Sequence, residues 1–122
     1  MQNDSRQITT LVDVELITCI VQKGKADAIT RAAFEAGAQG ATVNYARGSG
    51  VREKLGVLGV AVEAEKEIIQ IIVSSEQVDR IFDVIYLEGK LDTPGMGFMH
   101  VTKLEKAGTY IPLEVLQKIN TN

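Results

Sequence analysis

Apolar and polar positions along this chain follow two periods, of strand and of helix, and the order in which the periods alternate is repeated. Val14 to Val21 is dominated by β-branched and apolar residues and is closed by Gln22-Lys-Gly-Lys25, which predicts a strand. From Lys25 to Ala36 the positions Ala26, Ile29, Ala33 and Ala36 recur at helical spacing, and Gly37 stands where a left-handed cap is needed. Ala41 to Ala46 reads as a second strand, with Val43 and Tyr45 sharing the face of Ala41 while Thr42 and Asn44 point the other way. The second copy starts with the apolar run Ile68 to Val73. Ser74, with Gln77 at capping-box spacing, predicts the start of a helix whose stripe is Val78, Ile81, Phe82 and Ile85 and which Gly89 terminates. After the turn residues Asp92-Thr-Pro-Gly95 a last strand is expected from Gly95 to Lys103. The first dozen residues are expected to fray, and Leu113 to Ile119 to form a short helical tail.

Two strand–helix–strand units in tandem, each too small to bury a sheet face alone, predict an α+β fold: a ferredoxin-like βαββαβ sandwich, an antiparallel sheet with both helices on one face. One domain over 1–122 is expected, with a core over about 13–106, a mobile loop over about 47–62 and a tail over 107–122. The strands are apolar on both faces: Leu16 and Ile20 face one way, Ile17, Cys19 and Val21 the other, and Ile68, Ile69, Ile71, Ile72 and Val73 load both sides. A helix-free face of that kind invites aggregation if left wet, so it is expected to be buried against other copies of the chain.

Charge and composition narrow the function. The net charge of -3 argues against a nucleic-acid partner, since a basic face supplies most of such affinity. No apolar stretch approaches the roughly 20 residues needed to span a bilayer, and the N-terminal segment lacks signal-peptide features, so a cytoplasmic location is expected. Cys19, the one cysteine, cannot form an internal disulfide and reads as a small buried hydrophobe. His100 is the one histidine and has no apparent acid–base partner, so no catalysis and no catalytic cofactor are expected. No recognisable metal-ligand spacing is present, although Glu63, Glu65 and Glu67 share one side of a strand; these carboxylates are expected to solvate it.

Candidate chemistry concentrates around glycines. Arg47-Gly-Ser-Gly50 opens a glycine- and charge-rich segment, and amides at Gly48 and Gly50 could approach an anion closely because no side chain intervenes. Lys90 would meet a phosphate as a point charge, and Arg47 or Arg52 as a planar fork. The tip Arg52-Glu53-Lys54-Leu55, flanked by glycines, suits ordering on contact with a partner rather than a core.

The order of these elements, with Gln39-Gly-Ala-Thr-Val43, Arg47-Gly-Ser-Gly50 and Glu88-Gly-Lys90 at their places, resembles the PII signalling proteins and their PII-like relatives from about Glu15 to Lys106. The resemblance implies a homotrimer that binds an adenine nucleotide (AMP, ADP or ATP) as effector in clefts between subunits. It also implies loops that signal to a protein partner, commonly a membrane transporter or an enzyme. Carried over residue by residue, the nucleotide-binding positions are Thr42, Gly48, Ser49 and Gly50 on one wall and Gly89 and Lys90 on the other, with Lys103 in place of an expected arginine. Arg47, Arg52, Glu53, Lys54 and Leu55 fall in the partner-binding loop. Two departures change the expectation: no tyrosine lies between Tyr45 and Tyr86, so the family's tyrosine modification is not expected, and Met96 or Gly97 stands where a second basic residue belongs. Fewer fixed cations suit AMP, ADP or a cyclic dinucleotide better than ATP with a divalent ion. The alternative is a related ferredoxin-like trimer of the metal-tolerance type, with carboxylates and His100 or Cys19 as ligands.

Overall fold

The computed structural model describes residues 6, 8–47, 65–110, 112 and 114. Along them the chain forms β1 (Thr10–Leu11), β2 (Val14–Gln22), α1 (Ala26–Glu35), β3 (Thr42–Arg47), β4 (Glu65–Ser74), α2 (Val78–Glu88), β5 (Gly97–Lys103) and β6 (Ala107–Gly108). The main sheet has the order β3-β4-β2-β5 and every neighbouring pair is antiparallel. Each strand–helix–strand unit therefore leaves a gap between its own strands that a strand of the other unit fills: β4 lies between β2 and β3, and β2 between β4 and β5. Neither half can complete a sheet without the other, which is the physical content of the split βαβ arrangement expected above.

Register decides which side chains meet the helices. Ile17 pairs with Ile71 and Cys19 with Ile69, and all four are fully or almost fully buried. Against them pack Ile29 and Ala33 of α1 and Ile81 and Ile85 of α2, each no more than 1% exposed. Each of the isoleucines taken wholly out of water contributes roughly 1.5–3 kcal/mol. Alanine at Ala26 and Ala33 keeps the α1 stripe shallow, so the helix lies close to the sheet.

Several local expectations need correction. Ser74 is the last residue of β4 and makes no capping box; α2 begins after Gln77, which has no side-chain cap, and the turn between them closes through the Gln77 N–H to the Ser74 carbonyl at 3.0 Å. Strand pairing to Val14 claims Ser74 first. The N-terminal segment does not simply fray, because Thr10–Leu11 pairs with Ala107–Gly108 in a two-stranded ribbon. The last strand starts at Gly97 rather than Gly95, and the third starts at Glu65 rather than Ile68. The tail helix expected over Leu113 to Ile119 lies outside the described residues, Glu114 apart.

Glu67 is the largest revision. It faces the helices, is only 7% exposed, and its Oε1 accepts a hydrogen bond from the Ala26 N–H at 2.8 Å. A carboxylate at the first turn of α1 satisfies a donor the helix cannot satisfy itself and lies at the positive end of its dipole. It is thus a cap supplied from a neighbouring strand and does not solvate the sheet.

Candidate functional site

One end of the sheet gathers the last residues of β2, the first of β4 and the start of α1, with the 89–97 segment that links α2 to β5. Both helices end there or at the opposite end in the same hydrogen-bonded cap. At the end of α1 the Gly37 N–H donates to Phe34 O at 3.0 Å and the Ala38 N–H to Ala33 O at 2.9 Å. At the end of α2 the Lys90 N–H donates to Leu87 O at 3.1 Å and the Leu91 N–H to Tyr86 O at 3.0 Å. This is the Schellman pattern, whose C′ residue must be left-handed. In α1 that residue is Gly37, φ 115°; in α2 it is Lys90, φ 55°, while Gly89 before it has an ordinary φ of -78°.

The sequence expectation that Gly89 terminates the helix holds, but for a different reason. Gly89 is buried, and a Cβ there would make tight contacts of 3.2 Å with both the Ile29 Cδ1 and the Ile85 carbonyl. The left-handed strain passes to Lys90, the one non-glycine residue with positive φ among the described residues. Strain of this kind persists only where the surroundings over-determine it, and it concentrates at functional positions. The Lys90 side chain is exposed and sits just past the negative end of α2, which favours a cation.

The remainder of the turn is held in place. Thr93 N–H donates to Lys90 O at 2.9 Å, Met96 N–H to Thr93 O at 3.3 Å, and the Gln22 Nε2 reaches from β2 to Gly95 O at 2.8 Å. Gly97 has no room for a side chain, since a Cβ would lie 2.5 Å from the Ile20 carbonyl. Because the amides of Gly89 and Lys90 are spent on capping α2, what this turn offers an anion is the exposed Lys90 ammonium rather than those two N–H groups.

Other expected site residues are placed as follows. Arg47 ends β3, exposed and opposite Glu65, and leads into the segment that holds Gly48, Ser49, Gly50, Arg52, Glu53, Lys54 and Leu55, all outside the described residues. Glu65 also pairs with Lys23 at 3.3 Å, with both side chains more than half exposed, so this pair adds little stability. Lys103 lies at the far end of β5, where its Nζ donates to Ser75 Oγ at 3.0 Å and stands 3.8 Å from Asp13. From Gly97 to Lys103 the strand rises about 20 Å, so one subunit does not bring Lys103 to Lys90. Thr42, at the start of β3, lines a different feature, a cleft of about 1410 Å³ between the β1–β6 ribbon, the 37–42 segment and the turn before α2. Its lining includes the carboxylates Asp13 and Glu76, with the Lys103 ammonium at its margin on Ser75 and near Asp13. The strained cap at Lys90 had no sequence signal beyond the Gly-Lys pair itself, and the Glu67 cap had none.

The ligand set of the metal-tolerance alternative is not assembled. Cys19 faces the helices, where burial pushes its thiol up to about 11, and His100 lies on the other side of the sheet, opposite Thr18. Among the described residues no three His, Cys, Asp or Glu side chains cluster around a common point. Nor is any helix among them long and apolar enough to cross a membrane.

Comparison with known proteins adds family and fold. The family model described as Nitrogen regulatory protein P-II matches residues 14–110. A search of curated proteins returns no match. Among solved structures, the chain is similar to one described as the crystal structure of Arabidopsis thaliana PII bound to citrate, with a TM-score of 0.59 and 20% sequence identity, covering 76% of this chain and 78% of that one.

Proposed function

The chain belongs to the nitrogen regulatory protein P-II family, and from that premise we propose that it is a regulatory protein that binds an adenine nucleotide at seams between copies of itself and controls a protein partner through its 47–62 loop. Lys90 carries the proposal: an exposed cation held in a strained backbone conformation, on a turn pinned by Gln22 and ending at Gly97, where a Cβ would lie 2.5 Å from the Ile20 carbonyl. Thr42 and Lys103 lie too far from Lys90 to share a ligand within one subunit. A cleft shared between subunits is the arrangement in which residues from separate ends of the fold meet one molecule, and it also accounts for the apolar helix-free face. Arg47, at the root of the loop, would couple the occupied cleft to the partner-binding tip, with a membrane transporter or a metabolic enzyme as the partner.

A thermal-shift panel with AMP, ADP, ATP, cyclic dinucleotides, bicarbonate, citrate and divalent metals tests this, because a ligand that binds only the folded state raises its stability by about 2.7 kcal/mol at a hundredfold excess over Kd. Citrate belongs in the panel because the Arabidopsis protein is described with it bound. An adenine nucleotide is expected to stabilise the protein, and Lys90→Ala to abolish the shift. A shift that survives Lys90→Ala refutes the assignment of the phosphate position. Stabilisation by metal alone refutes the nucleotide reading.

A further inference from the structure

The link from α2 to β5 is held at its two ends by different means. At its start the Leu91 N–H donates to the Tyr86 carbonyl, which fastens it to the end of α2. Beyond that the bonds are local: the Thr93 N–H donates to Lys90 O at 2.9 Å and the Met96 N–H to Thr93 O at 3.3 Å. Bonds of this kind shape a turn but do not fix where it stands relative to the sheet. Among the described residues, one hydrogen bond joins residues 92–96 to the sheet: Gln22 Nε2 donates to Gly95 O at 2.8 Å, across 73 positions of the chain.

Strand register explains why that donor is a side chain. β2 and β5 pair from Glu15 with Lys103 to Val21 with Gly97, and there the ladder stops. Gln22 is the next residue of β2, but the chain ahead of Gly97 is still turning, with Gly95 at φ 78°. The Gln22 amide takes over where backbone pairing ends. Its base is firm, because Gln22 pairs with Lys66 of β4 and its carbonyl accepts the Lys25 N–H at 3.2 Å to close the turn into α1. The side chain is half-buried, so water competes less for the bond than it would at an exposed site. Glutamine supplies a neutral N–H donor of the required reach. Ionised glutamate has the same length but only accepts, and methionine keeps the unbranched shape with no donor at all.

We propose that Gln22 is a positioning residue of the effector site. By holding Gly95 against the end of the sheet it fixes, through the successive bonds from Met96 to Thr93 and from Thr93 to Lys90, the place from which the Lys90 ammonium meets a phosphate. The proposal rests on the reading of Lys90 given above and adds the residue that presets it. Lys90 carries its charge on a flexible four-carbon stem, so its backbone is the part the fold can hold in advance. A segment already in its bound place loses less freedom when ligand arrives. Without the Gln22 bond the link is fastened at the α2 end alone, and its ordering falls on the binding step.

Hydrogen exchange and calorimetric titration on the full chain test this, with Gln22→Met as the variant and Gln22→Glu in its place should Gln22→Met not fold. Titrations use AMP, ADP and ATP separately. In the variant, exchange at the Thr93 and Met96 amides of the nucleotide-free protein is expected to quicken by about tenfold, while exchange in the β2–β4 ladder stays as in the wild type. Nucleotide affinity is expected to fall by about three- to tenfold, the effect of one neutral hydrogen bond. Unchanged exchange at Thr93 and Met96 overturns the proposal, as does faster exchange there with nucleotide affinity intact. Loss of protection throughout the ladder also overturns it, since Gln22 would then support the fold as a whole rather than the turn. Wild-type protein that binds none of the three nucleotides overturns the reading of Lys90, and the proposal with it.

Discussion

Replacing Lys90 with glycine removes a charge from the proposed effector site and also removes backbone strain, and the two consequences have opposite signs. A non-glycine residue in the left-handed region costs about 1–2 kcal/mol. Lys90 is held there, at φ 55°, by the two hydrogen bonds that close α2. Glycine relieves that cost but brings roughly 0.5–1 kcal/mol of extra unfolded-chain freedom. The net expectation is a gain of about 0.5–1 kcal/mol, a rise of about 4 °C in Tm per kcal/mol for a domain near this size. Lys90→Ala keeps the strain, because alanine also has a Cβ, and is expected to leave stability unchanged within about 0.5 kcal/mol. Urea unfolding at matched pH measures both variants, and an unchanged m value confirms that only stability moved. Effector binding should be lost equally in both. A neutral or destabilising Lys90→Gly would mean that the strain is not real or that the lysine makes compensating contacts. If the glycine variant still binds nucleotide, the ammonium is not the phosphate group's partner.

Two further outcomes follow from buried groups. Glu67→Ala leaves the Ala26 N–H without its acceptor in a buried position and is expected to cost about 1–3 kcal/mol in urea unfolding. Glu67→Gln keeps a hydrogen-bond acceptor, loses only the charge at the helix end and should cost about 0.3–1 kcal/mol; equal losses in the two variants would show that the hydrogen bond contributes nothing. Cys19 is expected to be inert to thiol reagents in the native state, and its thiol, pushed up from 9.0 to about 11 by burial, makes stability pH-dependent. The folded state holds its proton more tightly than the unfolded state, so this contribution is fully present below about pH 9 and is lost as pH rises through about 11, a fall of roughly 2–3 kcal/mol. Cys19→Ser or Cys19→Ala should remove that alkaline limb of the stability curve.

Both βαβ units and the two-sided apolar strands were legible in the sequence, though not the β1–β6 ribbon, because periods of two and of about three and a half residues are local properties that survive without knowledge of the neighbours. Ile17, Cys19 and Val21 could be grouped on one face from alternation alone, though not which face meets the helices, and Gly37 could be assigned to a left-handed cap from its place after an apolar stripe. What the tertiary structure decided depended on contacts between residues far apart in the chain. Glu67 became a helix cap only because strand register carries it beside Ala26, and Ser74 lost its expected capping role because pairing with Val14 took it first. Lys90 rather than Gly89 takes the left-handed turn because the hydrogen bonds that close α2 make Gly89 its C-cap, while Ile29 of the other helix leaves little space for a Cβ at 89. The separation of Thr42, Lys90 and Lys103 is likewise invisible in a motif, since sequence spacing gives residue types but not which end of a sheet they occupy, and only the antiparallel register fixes that.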